Sequence, residues 1–218
     1  MTEKLYKIED VVSNVDVMFI DKSIKRAKYA KSVDVDKCNS DLTAGINALA
    51  RAGTGQGHDN FLSGIVVDFD LTFSIKAWTE AERYHFFQII TSQSTMHKMA
   101  HFDLRDPRVY VPYTDQRIID IMIEKVDEYN KLADTTPVND KEGIAVLARK
   151  YKELLYSNPT GFRLTAGIST NYLQLKTIYQ QRKTHRLTDE WGVFCDWIET
   201  LPRFVELTQG ADEANEQE

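Results

Sequence analysis

Between residues 67 and 76, Val67, Phe69, Leu71, Phe73 and Ile75 alternate with Asp68, Asp70, Thr72, Ser74 and Lys76. Successive side chains of a strand point to opposite faces, so the pattern predicts a strand with one face in a core and one in water. No other stretch of the chain narrows the fold as far.

Most of the remaining sequence reads as helix. Val15 to Ile20 reads as a short strand, followed by a basic segment, Lys22 to Lys31. Asp41 to Ala52 has helical spacing through Leu42, Ile46 and Leu49, with Gly53 as its stop. Thr79 with Glu82 forms a capping-box pattern that predicts a helix through Phe86, Phe87, Ile89 and Ile90. Pro107 and Pro112 bracket an extended connection. Thr114 is placed to cap a long helix to about Leu132, with Ile118, Ile119, Met122 and Val126 inward. A further helix is predicted from Asp140 to Tyr156, ended by Asn158-Pro159, and a last one from Thr188 to Pro202. Helices around one or two strong strands make an α+β protein, expected as a single domain over residues 1–207 with an acidic, disordered tail at 208–218.

The chain's 218 residues are 42% hydrophobic, enough to bury a substantial core. No apolar run is long enough to span a bilayer. Met1-Thr2-Glu3-Lys4 does not open a secretory leader. Cys38 and Cys195 are far apart and lack metal-ligand spacing, which fits a reducing cytoplasm. The formal charge is -6, and the tail's four acids account for all but -2 of it. A near-neutral body gives no basic stripe for a nucleic-acid polymer. Small anions need only a few well-placed cations and remain compatible.

The stretch from Tyr172 to His185 carries the sharpest chemical signal. At about 100° per residue, Leu175, Ile178 and Tyr179 share one helix side with Asn171 and Arg182, and His185 falls at its margin. Lys176, Gln180 and Lys183 turn the other way. A guanidinium among apolar neighbours keeps its charge and needs an anionic or carbonyl partner. Arg182 therefore calls for a carboxylate, a partner subunit or a phosphate.

Other constellations are weaker. Gly53 to Asn60 is a glycine-rich turn, but it lacks the Lys-Ser/Thr ending of a P-loop and leads into a strand. It can still carry His58 and Asn60 to the rim of a ligand site, or simply connect two elements. His97 and His101, with Asp103 nearby, have metal-compatible spacing. No third His or Cys lies at a matching distance, so no metal is expected. The hydroxyl-rich run Thr91-Ser92-Gln93-Ser94-Thr95 is either a frayed helix end or a cluster of small donors. No serine or cysteine sits in a nucleophile-elbow pattern, which argues against a hydrolase.

In order and spacing, from Val15 to Trp197, these features resemble the flavin-dependent thymidylate synthases, also called thymidylate synthase complementing proteins. Arg26-Ala27-Lys28-Tyr29-Ala30 holds the place of that family's basic Arg-Ala segment. Gly57-His58-Asp59-Asn60 and the alternating strand match its Gly-His turn and long strand. Asn171, Arg182, His185 and Trp191 match its C-terminal helix region. Tyr84-His85-Phe86-Phe87-Gln88 with Ser92-Gln93-Ser94 resembles a divergent, phage-type branch, which would place the protein in the host cytoplasm.

The resemblance implies a mostly antiparallel central sheet flanked by helices, and a homotetramer with sites shared between subunits. It further implies FAD, with NADPH and methylenetetrahydrofolate, acting at C5 of dUMP or a related pyrimidine deoxynucleotide. By motif position it makes His58, Asn60, Asn171 and His185 flavin contacts and gives Arg182 the nucleotide. One departure bears on activity. The family's arginine-rich motif, Arg-His-Arg-x-x-Ser-x-Asn-Glu-x-Ser-x-Arg, belongs at Gln88 to Lys98, and no arginine lies between Arg83 and Arg105. Losing several charge-assisted bonds of about 1.5–3 kcal/mol each weakens dUMP binding by orders of magnitude. Gln88, Ser92, Gln93, Ser94, His97 and Lys98 are the residues placed to rebuild a substrate site. The alternative is a non-catalytic nucleotide-binding or phage-associated interaction protein on the same scaffold.

Overall fold

The computed structural model describes residues 4–53 and 55–209. Its sheet has four antiparallel strands in the order β1-β2-β4-β3: β1 Val12–Met18, β2 Val66–Ser74, β3 Gln88–Ser92 and β4 Arg163–Asn171. The helices are α1 Ile20–Ala27, α2 Ala44–Ala50, α3 Ile75–Ala81, α4 Thr95–Lys98, α5 Gln116–Thr135, α6 Lys141–Ser157, α7 Tyr172–Arg182, α8 Val193–Thr200 and α9 Phe204–Thr208. The α+β class expected from the sequence is therefore the observed one. The described residues form two compact units, 4–53, 55–71, 80–91 and 166–209 in the first and 72–79 and 92–165 in the second.

The alternating strand is β2, with Val67, Phe69, Leu71 and Phe73 buried. In the first unit Phe69 meets Trp197 at 4.6 Å between ring centroids and Phe194 at 5.9 Å, and Phe194 meets Trp191 at 5.8 Å. Tilted and edge-on ring pairs of this kind add to the burial of the rings themselves. In the second unit Met122 and Val126 of α5, Leu154 of α6, and Met99, Tyr110 and Phe162 form a separate core. Aspartates begin both long helices: Asp115 accepts from the Arg117 amide, and Asp140 from the Glu142 and Gly143 amides.

Several boundaries differ from the sequence expectation. β1 begins at Val12 rather than Val15, because Asn14 at φ 52° sits in an irregularity between Ser13 and Asp16 that breaks the alternation. The helix expected from Thr79 to Ile90 is instead α3 followed by β3. Thr79 Oγ1 donates back to the Lys76 carbonyl, while β-branched Ile89, Ile90 and Thr91 pair as an edge strand.

β4 lacks a sequence signal, because among its buried positions Arg163, Ala166, Ile168 and Thr170 only Ile168 is large and apolar. Ile118, expected inward, lies in the first turn of α5 and is 42% exposed. The last helix opens with a π-type turn, Thr188–Gly192, before α8. Thr208, placed in the tail by sequence, closes α9, and residues 210–218 of that tail lie outside the described residues.

Two outcomes follow. Phe69→Ala removes the ring at the centre of the first unit's aromatic cluster and is expected to cost about 3–5 kcal/mol in urea unfolding; a loss below about 1 kcal/mol would mean the cluster repacks. Burial pushes the Cys195 thiol up to about 12, whereas Cys38 is only half-buried. At pH 8 a thiol reagent should label Cys38 in the native protein and Cys195 only after denaturation. Rapid labelling of both would contradict this.

Candidate functional site

Asn171 begins α7 by accepting the Gln174 amide at 2.9 Å, so its side-chain oxygen serves as the helix cap. Leu175 and Ile178 are buried as expected, and Arg182 ends the helix. Arg182 Nη1 donates to Glu80 Oε2 at 2.8 Å and Nε to the Tyr84 hydroxyl at 2.7 Å. Its guanidinium carbon lies 4.8 Å from the Trp191 ring centroid and 5.5 Å from that of Tyr84. The Tyr84 hydroxyl donates onward to Gln181 Oε1 at 3.0 Å. Burial raises the Tyr84 pKa, and the bond from Arg182 opposes that rise.

His185 lies beyond the helix, with Nε2 3.1 Å from the same Glu80 oxygen. Its Nδ1 accepts the Leu187 amide, which leaves the ring proton on Nε2 to face Glu80. Of the three partners the sequence allowed for Arg182, the fold supplies a carboxylate. The electrostatic demand that pointed Arg182 towards a phosphate is met by Glu80, with side-chain exposures of 13% and 12% for the pair.

Lys176, expected on the solvent side of α7, is instead buried. Its ammonium donates to the carbonyls of Ala50 at 2.8 Å and Ala52 at 2.7 Å, and to Asp59 Oδ2 at 2.7 Å. These acceptors bracket the glycine-rich turn, in which Gly55 and Gly57 adopt φ of 88° and 75°. The turn presents His58 and Asn60 as exposed residues on either side of the buried Asp59.

In the second unit a cleft of about 270 Å³ is lined by Gln93, Ser94, Lys98, His101 and Phe102. The hydroxyl-rich run forms it where β3 gives way to α4. Gln93 is pinned twice to Thr165, donating its amide to the Thr165 carbonyl and accepting the Thr165 amide on Oε1, each at 2.9 Å. The Tyr151 hydroxyl holds α4 from behind, donating to the Thr95 carbonyl and accepting the Met99 amide, both at 3.1 Å. Phe102 stacks edge-on against Phe162 at 5.1 Å. An ammonium, an imidazole, a hydroxyl, a carboxamide and a ring around one cleft suit a ligand that joins anionic oxygens to a planar base.

Of the seven expected substrate residues, the cleft gathers three, Gln93, Ser94 and Lys98, while Arg182 lies in the other unit. Gln88 and Ser92 lie exposed on β3 and His97 exposed on α4, and none of the three lines the cleft. Sequence reasoning missed Glu80, Tyr84, Asp59, Lys176 and Phe102 as site-forming residues, and weighed His101 only for a metal that it did not expect. Among the described residues no group of three or more His, Cys, Asp or Glu converges as a metal site.

Lys176→Met strands the buried Asp59 carboxylate and should destabilise the fold by about 3–5 kcal/mol, with part of the loss recovered in the Lys176→Met/Asp59→Leu double variant. Equal unfolding midpoints for wild type and Lys176→Met would refute the coupling.

By sequence, no family model matches the chain, and no curated protein matches it. By structure, it is similar to the flavin-dependent thymidylate synthase of Helicobacter pylori in complex with FAD and dUMP. The TM-score is 0.62 at 12% identity, over 90% of this chain and 100% of that one. A second structure of the Helicobacter pylori enzyme with FAD and dUMP gives 0.62 at 13% identity over 90% and 97%. The UMP/dUMP methylase PolB of Streptomyces cacaoi, bound with 5-Br dUMP, gives 0.55 at 12% identity over 90% and 92%. The chain has the fold of these enzymes.

Proposed function

We propose that this protein is a divergent flavin-dependent thymidylate synthase-like enzyme. It would act on a pyrimidine deoxynucleotide by one-carbon transfer from methylenetetrahydrofolate to C5, with FAD and NADPH, in the cytoplasm of the cell or of a phage's host. The observation that carries the reading is the fold likeness to the Helicobacter pylori enzyme along that enzyme's whole length. The donor set of the cleft supports it. Lys98 and His101 would take the nucleotide phosphate, Phe102 would pack on the base, and Gln93 and Ser94 would read its polar edge.

His58 and Asn60, exposed on a turn anchored by Lys176, would contact flavin together with His185, in a site completed by another subunit of a homotetramer. FAD, when bound, would supply the hydride that completes the new methyl group. The protein's own part is to bind, orient and keep water away. Arg182, held by Glu80, would act at one remove by fixing Tyr84 and Trp191.

A second reading, nucleotide binding without turnover, is favoured by the absence of any arginine between Arg83 and Arg105. Purification separates the two. The enzyme reading predicts a yellow protein with flavin absorbance, and tritium release from C5-tritiated dUMP in the presence of methylenetetrahydrofolate and NADPH. A colourless protein that binds dUMP in calorimetry without releasing tritium would establish the second reading. One that binds neither would leave only the fold. Lys98→Ala should weaken nucleotide affinity at least about tenfold, the loss of one charge-assisted bond.

A further inference from the structure

Helix α1 turns Ser23 and Ile24 into the core and directs Lys22 and Arg26 outward, with Lys25 half-buried beside them. From Ile20 to Lys31 there are five bases against one acid, Asp21. Among the described residues no carboxylate stands at ion-pair distance from Lys22, Lys25 or Arg26; Asp21 instead faces Arg203 at 3.7 Å. Phe19 precedes the helix at φ 70° with 53% of its surface exposed, and the Lys22 ammonium stands 5.5 Å from its ring. A bulky residue held in the left-handed region and still presented to solvent is a strained protrusion, which points to a contact outside its own chain.

Helix α5 carries the opposite charge. A cleft of about 620 Å³ along it is lined by Asp120, Glu124, Asp127 and Glu128 against Arg105 and Lys131. Arg105 pairs with Asp127 at 2.6 Å and Lys150 with Glu128 at 3.4 Å. Asp120 and Glu124 have no cation at ion-pair distance among the described residues. A second cleft of about 480 Å³ shares Arg105, Asp120 and Ile123 and adds the apolar Leu104, Tyr110 and Ile119. Asp120 and Glu124 are one helical turn apart, about 6 Å along the axis, and so are Lys22 and Arg26.

We infer that α1 of one copy of this chain lies along α5 of another. Lys22 meets Asp120 and Arg26 meets Glu124, which carries Phe19 to the start of α5, where Leu104, Tyr110 and Ile119 form the apolar part of the second cleft. The two patches differ, so each copy offers both halves of the pairing. A second copy fits better than a nucleic acid, because a polyanion would cover the basic face and leave the acidic clefts open, whereas another copy covers both. The inference goes beyond the oligomer named above by giving its surfaces, and it does not depend on flavin or nucleotide.

Charge exchange tests it. Sedimentation velocity should show self-association of the wild type that weakens at least about tenfold between about 0.05 M and about 0.5 M salt. Lys22→Glu/Arg26→Glu and Asp120→Lys/Glu124→Lys, each verified as folded by circular dichroism, should each sediment as monomers. An equimolar mixture of the two should associate again, since the native pairing of one contact survives in it and the other is reversed on both sides. A wild type that stays monomeric at every salt concentration would overturn the inference. So would variants that associate like wild type, or a mixture that stays monomeric. If the α1 variant instead loses binding to a fluorescent single-stranded oligonucleotide while its association persists, the basic face belongs to a polyanion and the inference is wrong. Flavin absorbance of the same samples reports separately on the enzyme reading.

Discussion

Lys176 carries its charge to a place where 4% of its side chain meets water, and three acceptors meet it there. Taking an ammonium out of water costs several kcal/mol, an outlay recovered only when every N–H finds an oxygen in good geometry. All three do. Two of the oxygens are carbonyls at the end of α2 and just beyond it, and the third belongs to Asp59, so one group fixes both feet of the glycine-rich turn against α7. The conformational freedom of Gly55 and Gly57 is then spent on a single arch that leaves His58 exposed. The ion pair of Arg182 with Glu80 works in the same way at the far end of α7, where one carboxylate oxygen serves both a guanidinium and an imidazole. With one cation tied down at its middle and another at its C-terminal end, α7 has little freedom to rotate or slide within its unit.

The parts of this arrangement that were legible in the sequence are those set by local pattern. β2 declares itself because its two faces differ at every residue. α5 and α6 declare themselves through apolar spacing and, for α6, an Asn-Pro stop. β3 does not, because adjacent Ile89 and Ile90 fit a helical stripe as readily as a strand, and only pairing with a distant segment decides between them. β4 does not, because a central strand packed closely on both sides uses Ala166, Gly167 and Thr170 where an alternating pattern would need large apolar residues.

The candidate site divides along the same line. That Arg182 needs a partner follows from one helix face, but that the partner is Glu80 depends on a residue about a hundred positions away. The helical period placed Lys176 in water. The structure buries it, because α7 is enclosed well beyond its apolar stripe, with Gln174 buried beside Leu175. Ser94, Gln93 and Lys98 were legible because they are neighbours in sequence. Phe102 was not, since its role comes from the turn after α4.

The distribution of charge bears on how a fold persists at low sequence identity. Two buried cations of α7 are neutralised from within the fold, Lys176 by Asp59 and Arg182 by Glu80. Even at the surface, Arg105, Arg108 and Arg117 are each engaged by an aspartate, and the bonds from Arg108 hold the Asp106 carboxyl down at about 2. A shared scaffold at 12% identity needs only that volume and burial pattern be kept, which cores tolerate through wide substitution. Recognition of a nucleotide depends on a few uncommitted charges, and their positions can change without disturbing a core. On the proposed reading, the segment that lacks the family's arginines answers with Lys98 and His101 on a short helix braced by Tyr151. A lysine is a point charge without the planar fork of an arginine, so it can hold a phosphate but cannot also align a base edge. That second task would fall to Gln93, whose backbone and side chain are both fixed to Thr165, and specificity would then rest on a carboxamide held by the sheet.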